Sequence, residues 1–151
     1  MDTALRRKKK KDEKLLLSIL LPAAAMIFCS ALEALMLVKD SRSYELWLSA
    51  NPSGNADRFI SMHLMIFLFS CLYPAACSLY SVFALPRTGP DLLYRAVWGM
   101  LGLCVLVSRL LAFRFDSLFY DLGLVFLLLL IVAIFRSGKW QEHGVVNKEL
   151  Q

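Results

Sequence analysis

Histidine, cysteine and glycine are scarce in this chain, and their scarcity narrows its chemistry first. Its 151 residues include two histidines, four cysteines and seven glycines. His143 lies beyond the last apolar run and His63 inside the second, so a bis-histidine haem is not expected. Cys29, Cys71, Cys77 and Cys104 all fall inside apolar runs, and none belongs to a Cys-x-x-Cys pair. On one helix Cys71 and Cys77 would stand about 9 Å apart along the axis, too far for a disulfide. The four read as small buried hydrophobes, unlike the reactive thiol pairs of four-helix thiol–quinone oxidoreductases. No Glu-x-x-His helical metal motif, glycine-rich phosphate loop or Gly-x-Ser-x-Gly elbow occurs. Neither a cofactor nor a metal is expected. Inverted repeats of the transporter kind are also lacking.

Charge is thin as well. Charged residues make up 19% of the chain against 58% hydrophobic, and the mean hydropathy is +0.58. A soluble domain carries more charge and fewer apolar residues. The apolar residues here also gather in long runs that water could not solvate. The first run is Leu15–Val38, interrupted only by Glu33. The second is Phe59–Leu85, with His63 as its one ionisable residue; the third is Leu92–Phe113, with Arg95 and Arg109 near its ends. The fourth is Ser117–Phe135, holding Asp121. Each reaches or nears the ~20 residues a helix needs to cross ~30 Å of hydrocarbon. The alternation of β-barrel strands is absent. The fold class expected is all-α: an integral membrane, antiparallel four-helix bundle.

The connecting pieces, residues 1–14, 39–58, 86–91, 114–116 and 136–151, are too short to bury cores of their own. The turn Arg114-Phe115-Asp116 makes the last two spans antiparallel neighbours. Pro86, Gly89 and Pro90 are read as helix stops that do the same for the middle pair. In the first long loop, Ser43–Ala50 reads as a short amphipathic helix, followed by an Asn51–Asn55 turn. Pro52 disqualifies Asn51 as a glycosylation acceptor.

The net charge of +5 reflects orientation, not nucleic-acid binding. Of the 17 Lys and Arg residues, Arg6, Arg7, Lys8, Lys9, Lys10, Lys11 and Lys14 precede the first span. By the positive-inside rule the N-terminus is cytoplasmic, and four spans return the C-terminus to the same side. Arg87, Arg95, Arg136, Lys139 and Lys148 agree with this frame; the opposite side holds only Lys39, Arg42, Arg58 and Arg114, with Arg109 nearby. The same basic cluster would rest on anionic lipid headgroups. Trp98 and Trp140 on the inner side, with Tyr44 and Trp47 outside, match interfacial aromatic belts. The basic start and Leu15–Leu21 imitate a signal peptide. The apolar run continues to Val38, however, so an uncleaved first span is expected.

Ionisable residues within spans are costly, and each is a functional candidate. Glu33, His63, Arg109 and Asp121 all fall about one turn from the outer boundary, roughly 6–8 Å deep. Facing inward they would form a polar layer with Arg109 forked to Asp121, Glu33 beside His63, and His63 as the pH-sensitive member. Such pairs could simply lock the helices together, or the layer could bind a charged ligand or pass a proton. The stripes Ser70-Pro74-Ser78 with Cys71 and Ala75, Ser30-Ala34, and Gly99-Gly102 read as close-packing faces.

The favoured function is a non-catalytic accessory or assembly subunit, or binding module, docked on another membrane protein. One alternative is a small oligomeric transporter or channel using the layer. The other is a membrane-embedded enzyme acting on a lipid or quinone.

Overall fold

Long apolar runs rich in leucine, alanine and methionine favour helix, which pairs every backbone N–H and C=O inside the segment. The computed structural model describes residues 2–89, 91–111 and 117–137, with side chains from Glu13 onward except that of Thr88. These residues form five helices and no strand: α1 Asp2–Lys39, α2 Ser41–Ala50, α3 Ala56–Thr88, α4 Leu92–Leu111 and α5 Leu118–Arg136. Four of them, α1, α3, α4 and α5, are long and apolar enough to cross a membrane. The Arg114–Asp116 turn, Trp140, His143, and the side chains of Arg6 to Lys11 lie outside what is described.

Two helices extend beyond their apolar runs. Helix α1 starts at Asp2 and includes the basic segment, because lysine, arginine and glutamate are good helix formers and no proline or glycine precedes Leu15. Helix α3 runs through Pro86 to Thr88. A proline so near the C-terminus removes only one intrahelical bond, from its own nitrogen to the carbonyl of Val82. The stop comes at Gly89, whose φ of 73° is open to glycine and whose N–H bonds the carbonyl of Leu85 at 3.1 Å.

Helix α2 is capped by Asp40, whose carboxylate accepts from the Ser43 hydroxyl at 2.7 Å and the Ser43 amide at 3.1 Å. The Ser43 hydroxyl, then the Ser43 and Arg42 amides, hold this carboxyl below the usual aspartate range. Because the folded value is lowered, the cap's contribution is complete above the ordinary aspartate pKa and is lost as pH falls through the lowered one.

Packing follows a stripe on each helix. On α1 the buried positions Leu15, Ile19, Ala23, Met26, Cys29 and Ser30 recur every three to four residues. On α5, Tyr120, Gly123, Leu127, Leu130, Ile131 and Ile134 do the same. The most extensive contacts join α1 to α3 and α1 to α5. Directions follow from particular pairs. Cys29 lies beside Gly123, while Leu15 and Pro22 share a cleft with Phe126 and Arg136, so α1 and α5 are antiparallel. Gly99 meets Phe135 and Gly102 meets Ile131, so α4 opposes α5. Tyr73 bonds Trp98, and Ser81 bonds Tyr94, so α3 opposes α4. The four long helices therefore alternate in direction. Away from the stripes the surface is oily: Leu21, Phe69, Leu92 and Leu111 are 68%, 70%, 75% and 85% exposed.

Candidate functional site

Three of the four ionisable candidates, Arg109, His63 and Asp121, go to different places. Arg109, on the last turn of α4, extends its side chain across α5 towards α1. A Cβ added to Gly123 would sit 3.2 Å from its Nη1, so the absent side chain there makes its channel. Nη2 donates to Ser30 Oγ at 3.2 Å, and the guanidinium lies 5.7 Å from the Tyr120 ring centroid. The Tyr120 hydroxyl donates to the backbone carbonyl of Arg109, one of the acceptors a helix end leaves without an intrahelical partner. The Arg109 charge thus sits between α4, α5 and α1. Nη1 is buried there without a hydrogen-bond partner among the described residues.

Asp121 is exposed. The fork between Arg109 and Asp121 that adjacency suggests is replaced by the bond to Ser30, because the guanidinium points inward past Gly123. We expect Arg109→Leu and Asp121→Ala to add in unfolding free energy, within roughly 0.5 kcal/mol. Arg109→Leu and Ser30→Ala should instead couple beyond that margin, measured by thermal unfolding of the detergent-purified variants. Glu33, on the α1 turn after Ser30, is half-buried.

His63 is buried near the start of α3. Its Nδ1 lies 2.9 Å from the Phe59 carbonyl of its own helix. That oxygen can only accept, so Nδ1 carries the proton. Its ring leans on Phe59 at 4.3 Å, and Phe59 is in turn met by Tyr44 at 5.3 Å and Trp47 at 5.5 Å from α2. Trp47 covers Gly54, where a Cβ would fall 2.4 Å from the indole. His63 therefore belongs to an aromatic clasp that fastens α2 to the start of α3.

A second constellation lies towards the other end, among residues not singled out as a site from the sequence. Ser81 Oγ donates to the Cys77 carbonyl at 2.6 Å, which leaves it to accept from the Tyr94 hydroxyl at 2.6 Å. Tyr73 donates to the Trp98 carbonyl at 3.0 Å, and Tyr80 stacks on Tyr94 at 5.9 Å. These bonds bridge α3 and α4, whose backbones make few close approaches. The signal lay in large aromatics one or two turns apart, Tyr73 with Tyr80 and Tyr94 with Trp98, facing small residues. Of the close-packing stripes, Ser30, Pro74, Gly99 and Gly102 are buried, while Ser70 and Ser78 are half-buried and Ala75 is exposed. The cysteines are free; Cys29 and Cys77 are buried, Cys71 half-buried and Cys104 exposed. Among the described residues no group of three or more His, Cys, Asp or Glu could hold a metal ion.

No family model, curated protein or solved structure matches this chain.

Proposed function

We propose that the chain is a multi-pass membrane protein, an antiparallel four-helix bundle with both termini cytoplasmic, acting without catalysis as an accessory or assembly subunit of a larger membrane complex. The observation that carries this reading is the divergence of its polar groups. Arg109 is directed to Ser30, His63 is bonded to its own helix and clasped by aromatics, and Asp121 faces outward. That Arg109, His63 and Asp121 do not converge on one point supports stability and docking better than turnover. The orientation is supported by charge at the two ends. With directions alternating, Lys14, Arg87, Arg95 and Arg136 share one end with the basic segment of α1, and Lys39, Arg42, Arg58 and Arg109 share the other.

One observation favours a second reading, a small oligomeric transporter or channel: among the described residues the buried Nη1 of Arg109 has no hydrogen-bond partner, which leaves a cation between helices. Gentle extraction of the tagged protein from its native membrane, followed by native mass spectrometry, separates the two. The accessory reading expects a different protein at fixed stoichiometry. A homo-oligomer alone would overturn it in favour of transport.

A further inference from the structure

Between α1 and α5, at the end that carries Leu15 and Arg136, lies a cleft of about 520 Å³. Leu15, Ser18 and Pro22 form one wall and Phe126 and Leu129 the other, with Arg136 also lining it. Its walls are apolar because the one hydroxyl among them, on Ser18, is turned back onto the Leu15 carbonyl at 2.7 Å. The Pro22 ring adds no backbone donor. The volume lies within the roughly 300–1,000 Å³ of small-molecule sites, and is modest for the face of a partner helix.

We propose that this cleft holds an acyl chain of an anionic glycerophospholipid, with the headgroup phosphate on Arg136. The proposal rests on the membrane reading above, and with the N-terminus inside it assigns the lipid to the cytoplasmic leaflet. Acyl chains in a bilayer are already in apolar surroundings, so the cleft walls alone distinguish one lipid from another weakly. Selection must come from the charged part of the site. There the exposed Arg136 guanidinium can fork to a phosphate. Lys14, also exposed, stands one residue before Leu15, and α1 continues into a segment that contains Arg6 to Lys11. An apolar slot whose one charged lining residue is Arg136 fits an anionic amphiphile, and a zwitterionic one less well.

The test uses the full-length protein in mild detergent, incubated with equimolar dioleoyl phosphatidylglycerol and dioleoyl phosphatidylcholine and read by native mass spectrometry. The wild type should retain one phosphatidylglycerol in preference to phosphatidylcholine. Arg136→Gln should lower that preference about fivefold, the value of one basic residue at a membrane surface, and Arg136→Lys should keep most of it. Val132→Trp, at an exposed position lining the cleft, should block retention of both lipids. Far-UV circular dichroism identifies any variant that has failed to fold, and the two Arg136 variants carry the test alone if Val132→Trp does. Equal retention of the two lipids, no retained lipid, or an unchanged preference in Arg136→Gln would overturn the proposal. A protein partner gives a far larger mass shift than a lipid, so failure here is distinguishable from failure of the accessory reading.

Discussion

Gly102→Leu should lower the stability of the purified protein by about 3 kcal/mol, the upper part of the usual range for overpacking a filled interior. A Cβ at Gly102 would lie 2.4 Å from the Tyr73 hydroxyl and 2.9 Å from Ile131 Cγ1. Neither neighbour can yield cheaply. Tyr73 is 8% exposed and tied to the Trp98 carbonyl, and Ile131 is 5% exposed in the central cluster. Gly99 provides the contrast. A Cβ there would fall 2.6 Å from the tip of the Phe135 ring, but Phe135 is 47% exposed and can swing outward. Gly99→Ala should therefore cost clearly less than Gly102→Ala. Denaturation by sodium dodecyl sulfate in mixed micelles, followed by circular dichroism, checks both. Equal shifts for the two alanines would mean that the Tyr73 seat does not discriminate between them.

The second large effect is expected at the other end. Phe59 is 2% exposed and is enclosed by Tyr44, Trp47 and His63, so Phe59→Ala removes the centre of the clasp. A loss of about 3 kcal/mol follows from the cost of truncating a buried aromatic. The local consequence is more telling than the global one. Helix α2 has no buried residue of its own and is held by these rings and the Asp40 cap. Its release should expose the peptide bond after Arg42, and trypsin should cut there many times faster in Phe59→Ala than in the wild type. An unchanged cleavage rate would show that α2 is retained by something other than the clasp.

The four apolar helices were legible because length and hydropathy suffice to mark them, and the short helix after Asp40 because polar and aromatic residues alternate at helical spacing. The destinations of Arg109, His63 and Asp121 were not legible. In helices apolar on nearly every face, such as α3 and α5, the sequence carries little information about rotation around the axis. Position along each helix follows from residue number, but direction around it does not. Arg109 shows the consequence: its depth suggested Asp121 on the adjacent helix, yet the missing Gly123 side chain opened a route to Ser30. His63 found its partner four residues back on its own helix, a bond that depth alone cannot favour or exclude. Small residues did mark close approach at Gly99 and Gly102, because only a missing side chain admits the facing rings.

The central claim is that four helices cross a bilayer with both ends of the chain on the cytoplasmic side. Its most direct test is labelling with a membrane-impermeant maleimide in sealed vesicles of known sidedness. Cysteines would be introduced singly at the exposed residues Ser53, before α3, and Asp91, between α3 and α4, with the wild type as baseline. The account predicts that Ser53→Cys is labelled from the non-cytoplasmic side in intact vesicles, and that Asp91→Cys is labelled there only after permeabilisation. Labelling of both positions from one side, or the reverse assignment, would contradict it.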